Sequence, residues 1–258
     1  MGMLKIGFFQ FNPEFGRIRN NLEMVLGALD GVQADIIVLP ELPFTGYFFK
    51  DRQELFDLAE PVDDSPTVDA LLHLCRRRQL HLVTGFAEKV VDDENVDRVF
   101  NSALLIGPDN VVHTYRKLHL FNTEKGYFDP GDTLLEISVV RGVRIGMMVC
   151  FDWAFPEVAR ILALKGADII CHPSNLVLTH CQQAMCTRAL ENGVYTVTAN
   201  RYGTEMRAHG ELTFTGQSQI TDPLGKRHSK AKPHERCLSV VEIDVSRARN
   251  NQLTAKNN

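Results

Sequence analysis

The sequence predicts an α/β protein with mixed sheets, and three observations carry that expectation. Strand-like apolar runs alternate with amphipathic helix-like ones. The order βαβα followed by consecutive strands occurs twice, once in each half. The second strand of each half opens with the same four residues, ADII at 34–37 and again at 167–170. Helices between strands call for parallel neighbours, and the later hairpins add antiparallel ones. Two sheets face to face with helices outside would bury both sets of apolar strands. That layering is a four-layer αββα sandwich with internal pseudo-symmetry. No low-complexity linker separates the halves, so one domain is expected over residues 1–258.

The elements follow in order. LKIGFFQF reads as a strand, and NNLEMVLGALDG as a helix with an asparagine start and a Gly31 stop. Leu22, Val25, Leu26 and Leu29 share one face of that helix at i, i+3, i+4 and i+7. ADIIVLPE is a short buried strand. SPTVDALLHLCRRRQ offers a Ser65 cap, Pro66 in the first turn and an apolar face of Val68, Leu71, Leu72 and Cys75. Three strands are then predicted: LHLVTGFAEKV, VFNSALLIGP and VVHTYRKLHLF, with the polar turn DDENVDR after the first. In the second half VRIGMMVC is a strand, and FPEVARILALKG a helix opened by Pro156 and closed by Gly166. ADIICHPSN is a strand, and HCQQAMCTRALENG a helix. VYTVTANR, FTGQSQITDPLG and CLSVVEIDVS complete the strands.

Composition excludes several classes of function. A formal charge of −4 gives no basic footprint for nucleic acid or an anionic membrane surface. The cluster Arg76-Arg77-Arg78 ends a helix, where positive charge suits the dipole. No apolar run approaches the roughly 20 residues of a membrane-spanning helix. The N-terminus lacks a secretory leader pattern. Cys75, Cys150, Cys171, Cys181, Cys186 and Cys237 form no C-x-x-C pair and match no zinc spacing. Reduced thiols, a cytoplasmic location and no metal are therefore expected.

Chemistry-bearing residues gather where strands run out. Glu41 follows IIVLP, Lys117 follows HTYR, and Cys150 ends IGMMV. Ligand sites in α/β sheets collect at the carboxyl ends of strands, where loops converge over a rigid platform. A carboxylate, an ammonium and a thiol at three such ends make a possible catalytic set. A strand-to-helix corner would expose the Cys150 sulfur near a helix N-terminus and favour thiolate.

LPELPFTGY, YRKLHLFNTEKGYFDPGD and CFDWAFPEVARILALKGADIICHPSN together resemble the signature blocks of the nitrilase superfamily of carbon–nitrogen hydrolases. NSALLIGP, RALENGVYTVTANR and FTGQSQITDPLG extend the likeness from about residue 4 to 245. The resemblance implies the αββα sandwich and a Glu-Lys-Cys triad falling on Glu41, Lys117 and Cys150. It also implies a helper carboxylate at Glu124, and no metal or organic cofactor. Tyr47, Phe151, Trp153, Phe155 and Asn175 follow motif residues and would bind substrate. The Phe151 N–H and Lys117 would meet the oxyanion of a tetrahedral intermediate.

Strict nitrilases often carry Cys-Trp-Glu after the nucleophile, whereas this chain has Cys-Phe-Asp-Trp, closer to the amidase and carbamoylase branches. The implied reaction is hydrolysis of a small linear amide, either an ω-amide or an N-carbamoyl amine, through a cysteine thioester. Small aliphatic nitriles, or a catalytically silent binding role on the same fold, are the alternatives. The resemblance also implies a homodimer. A Cys-His pair with His119 or His172 is disfavoured, because the papain-type CGSCW signature is absent.

Overall fold

The structure, a computed structural model, describes residues 3–91 and 97–250. The polar turn expected at 92–98 lies mostly outside them. The first half contains β1 (Met3–Gln10), α1 (Ile18–Leu29), β2 (Ile36–Val38), α2 (Arg52–Leu58) and α3 (Pro66–Arg78). It continues with β3 (His81–Val91), β4 (Asp97–Ile106) and β5 (Val111–Arg116). The second half contains β6 (Ile137–Val140), β7 (Val143–Met147), α4 (Pro156–Leu164), β8 (Ile169–Ser174), α5 (Cys181–Asn192) and β9 (Tyr195–Asn200). It ends with β10 (Tyr202–Arg207), β11 (Gly210–Thr215), β12 (Gln219–Thr221), β13 (Arg227–Lys230) and β14 (Cys237–Asp244).

Two six-stranded mixed sheets result, ordered β14-β1-β2-β3-β4-β5 and β6-β7-β8-β9-β12-β13. From the β14 and β6 edges, each sheet runs antiparallel, parallel, parallel, antiparallel, antiparallel. The pseudo-symmetry expected from the repeated ADII is thus a match of strand order and direction. β10 and β11 form a separate hairpin inserted between β9 and β12.

Period-2 alternation sorts each strand's side chains between two layers. Ile6, Phe8, Ile36, Val38 and Val83 point into a core shared with Ile145, Met147, Ile169, Tyr195 and Val197 of the facing sheet. Their neighbours Phe9, Ile37, Leu39 and Leu82 point the other way, onto Val25, Leu29, Val68, Leu71 and Leu74 of α1 and α3. Helices α4 and α5 cover the second sheet with Val158, Leu162 and Met185. Each fully buried Leu or Phe contributes about 1.5–3 kcal/mol of transfer free energy. The sandwich is therefore the arrangement that removes both faces of both sheets from water.

Some local expectations need correction. Helix α1 starts at Ile18 rather than at the asparagines, with no side-chain cap. Buried Asn21 instead accepts from the Glu14 N–H and donates to the Glu14 and Phe44 carbonyls, tying two loops together. FTGQSQITDPLG is not one strand: its first residues finish β11 and only Gln219–Thr221 enter the main sheet. Strand β5 stops at Arg116, so Lys117 stands just past the ladder. The Ser65 cap holds as read, accepting from the Val68 N–H at 3.0 Å.

Candidate active site

Three strand ends of the sandwich deliver the polar set, and close backbone approaches bring them together. Gly85 on β3 lies against the Glu41 loop, where an added Cβ would sit 2.4 Å from the Leu42 nitrogen and 2.5 Å from the Glu41 Cα. Gly131 does the same beside Lys117, where a Cβ would fall 2.2 Å from the Arg116 carbonyl oxygen. Backbone strain concentrates here too. Leu42, Asn122 and Cys150 adopt φ of 45°, 47° and 41°, the left-handed region that costs a non-glycine residue about 1–3 kcal/mol. One of these residues is the thiol itself, one follows Glu41, and one precedes Glu124 by two.

Glu41, Lys117, Glu124 and Cys150 are all buried, and the structure brings all four together. Lys117 Nζ donates to Glu41 Oε1 at 2.7 Å and to Glu124 Oε1 at 2.8 Å. Asn101 Nδ2 also donates to Glu41 Oε1, at 2.7 Å. Glu41 Oε2 is buried with no hydrogen-bond partner, so one lone-pair edge of that carboxylate is unspent. Burial pushes the Glu41 carboxyl upward against the pull of Lys117. Burial also opposes the Lys117 charge, but Glu124 and Glu41 outweigh it and hold the ammonium protonated.

The thiol departs from expectation in one respect. Cys150 begins a short 3-10 turn (Cys150–Ala154), and α4 starts only at Pro156, so no long helix dipole points at the sulfur. Burial, then the Glu41 charge, push the thiol well above its ordinary value, and Lys117 offsets only part of this. Burial beside carboxylates therefore works against a preformed thiolate in the resting site. The Asn175 backbone N–H lies against the same sulfur.

Other polar groups hold the frame. Asp152 is buried and accepts from the Val149 N–H at 2.9 Å, the Tyr115 hydroxyl at 2.8 Å and the His119 N–H at 3.2 Å. These bonds lock the turn that presents Cys150. His172 Nε2 donates to the Cys150 carbonyl oxygen at 2.9 Å, while burial lowers its pKa to about 4. His119 Nδ1 contacts Asp152 at 2.8 Å, and its ring stacks on Phe155 at 3.6 Å. Both histidines brace the backbone. Cys171 and Cys181 are core thiols with pKa values raised by burial.

A small cleft with about 10 Å³ of room for a water-sized group lies over the sulfur, lined by Phe121, Phe151, Trp153, Asn175, Leu176, Val177 and Leu178. Two residues expected to bind substrate stand outside that lining. The Tyr47 hydroxyl donates to Glu124 Oε1 at 2.5 Å, so it holds the Glu124 carboxylate in place. Phe155 packs edge-on against Phe151 at 5.6 Å and buttresses the wall.

Sequence reading alone missed a clamp behind Tyr47. Buried Glu205 of β10 accepts from the Tyr47 N–H at 3.1 Å and the Phe48 N–H at 2.7 Å, and pairs with buried Arg201. Arg201 in turn donates to Asn12 and Pro13 after β1. Paired opposite charges just before and inside an inserted hairpin were the available signal. A larger groove, about 510 Å³, lies on the outer side of α4 and α5 and contains none of the four buried polar residues.

The family model for carbon–nitrogen hydrolase matches residues 10–251. The chain belongs to the carbon–nitrogen hydrolase family. It is 40% identical over 258 residues to a nitrilase of Pyrococcus abyssi, covering 99% of this chain and 95% of that protein. It is 32% identical over 247 residues to an (R)-stereoselective amidase of a Pseudomonas species, covering 94% and 85%. The crystal structure of a carbon–nitrogen hydrolase from Helicobacter pylori G27 superposes with a TM-score of 0.87 at 27% identity, covering 96% of this chain and 92% of that one. The αββα sandwich of two mixed sheets is thus shared with other members of this hydrolase family.

Proposed function

We propose that this chain, as one domain over residues 1–258, hydrolyses a non-peptide carbon–nitrogen bond of a small linear amide through a Cys150 thioester. The observation that carries the reading is Lys117 bridging two buried carboxylates beside a single buried thiol. The upshifted Glu41, with its Oε2 unpaired, takes the thiol proton as sulfur attacks the amide carbon, forming the S–C bond. Lys117 and the Phe151 N–H meet the oxyanion. Glu41 passes the proton to the leaving nitrogen, and the C–N bond breaks to release ammonia. Water then adds to the thioester, giving one proton to Glu41 and its oxygen to the acyl carbon. The C–S bond breaks, the thiolate recovers the proton, and a carboxylic acid leaves. For an N-carbamoyl amine the acid is a carbamic acid, which loses carbon dioxide. Glu124, steadied by Tyr47 and Lys117, positions the substrate. No cofactor enters these steps.

The narrow, mostly apolar pocket suits a small acyl group, such as an ω-amide or a carbamoyl amine. A second reading, cleavage of small aliphatic nitriles, is favoured by the likeness to the Pyrococcus abyssi nitrilase. A silent binding role is disfavoured because the acid, the base and the thiol are all present and assembled. Ile161, Leu164, Leu190 and Leu224 are exposed around the α4–α5 groove and offer a face for a homodimer. All six cysteines are free, as suits a reducing cytoplasm.

The test is ammonia release from a panel of small amides, carbamoyl amines and nitriles, for wild type and Cys150→Ala. Release by wild type that disappears in the variant supports the reading. Release from none of them, or release that persists in Cys150→Ala, contradicts it.

A further inference from the structure

The Asn175 side chain is buried, 2% exposed, yet neither its Nδ2 nor its Oδ1 has a hydrogen-bond partner. The large majority of buried side-chain polar atoms have a hydrogen-bond partner, and an amide with both ends unpaired stands out. Asn200, which ends the neighbouring strand β9, is the contrast. Its Oδ1 accepts from the Leu176 N–H at 2.8 Å and its Nδ2 donates to the Gly216 carbonyl at 2.7 Å. Asn175 lines the pocket that holds Cys150, and its own backbone N–H lies against the sulfur. Apart from that thiol and the indole of Trp153, the other lining side chains are hydrocarbon. An unspent donor and an unspent acceptor therefore stand side by side at the one place where an acyl group would be attacked.

We infer that the Asn175 carboxamide recognises the substrate's own carboxamide or ureido group, Oδ1 accepting from the substrate N–H and Nδ2 donating to an acceptor of the same group. Two amides are mutually complementary in this way, whereas an ester or a nitrile offers acceptors only. Asn175 is then the residue that makes the site prefer amides, because a buried group left unpaired by the wrong substrate discriminates more strongly than apolar fit does. The inference rests on the Cys150 reading above, and the experiment separates the two.

Wild type, Asn175→Leu and Asn175→Asp are compared on propionamide, by ammonia release, and on 4-nitrophenyl propionate, by the burst of nitrophenolate. Both substrates place the same propionyl group on Cys150, and only the amide has an N–H to donate. In Asn175→Leu, kcat/KM for the amide falls by about 100-fold or more, while the ester burst rate, which loses only the donor to its carbonyl, falls by about 10-fold or less. Asn175→Asp, of the same shape, keeps the acceptor for the substrate N–H and loses only the donor, so it loses less on the amide than Asn175→Leu does. A retained ester burst reports a folded site with a working thiol. Equal loss on both substrates in Asn175→Leu, or no loss on the amide, overturns the role given to Asn175. No burst and no ammonia from wild type would instead overturn the cysteine mechanism.

Discussion

Replacing Lys117 with methionine probes how the buried charges balance. The ammonium is fully buried and touches Glu41 at 2.7 Å and Glu124 at 2.8 Å, with both carboxylates also buried. Its removal leaves two acids facing each other without a cation. Breaking a buried pair by deleting one partner costs about 3–5 kcal/mol, and two orphaned acids put this case at the upper end, about 5 kcal/mol at pH 8. That is a large share of the roughly 5–15 kcal/mol of a typical domain. Proton uptake limits the loss. A glutamate whose folded-state pKa is raised above its unfolded value of about 4.3 carries no penalty below that value. The penalty then grows by about 1.4 kcal/mol per pH unit until the folded pKa is reached. The variant's stability therefore falls as pH rises from about 4, and about 4 kcal/mol of the deficit disappears between pH 8 and pH 5 if one acid is protonated throughout. Urea unfolding of wild type and Lys117→Met at both pH values measures this. A deficit that ignores pH, or one under about 1 kcal/mol at pH 8, would refute the argument.

Two further outcomes follow from the frame around the site. Gly85→Ala forces a methyl into the Glu41 backbone, so a stability loss of about 1–3 kcal/mol and a fall in kcat of about 100-fold are expected from denaturant titration and turnover. Glu205→Ala strands buried Arg201 and releases the Tyr47 loop, so it costs about 3–5 kcal/mol and lowers activity; Glu205→Gln, which keeps an acceptor, loses less by the same two measurements.

Much of the fold was legible because hydrophobic periodicity is a local signal. β1, α3, α4, α5 and β8 appear where their apolar spacing and caps place them, and the doubled ADII foretold two matching sheets. What failed had non-local causes. Asn21 looks like a helix start, but long-range bonds to Glu14 and Phe44 claim its amide. β13, Arg-His-Ser-Lys, is an edge strand with no apolar residue, β6 is only four residues long, and β12 is three residues long inside a turn-rich stretch. The hairpin β10–β11 is half polar, and only Phe214 and Thr215 fall in a run predicted as strand.

The polar set was legible only in part. Strand ends flagged Glu41, Lys117 and Cys150, while Glu124 came from the family resemblance alone. Nothing local told that Tyr47 would turn to Glu124, or that Asp152 would gather three donors around the cysteine turn. The thiolate expectation weighed a helix dipole and could not weigh complete burial beside a carboxylate, which acts the other way.

The most direct measurement is the mass of the protein quenched during turnover of an amide that it hydrolyses. A gain equal to the acyl group, mapped by peptide digestion to Cys150 and absent in Cys150→Ala, is the predicted result. Steady ammonia release by wild type with the same rate in Cys150→Ala, and acylation found at another side chain, would contradict the account.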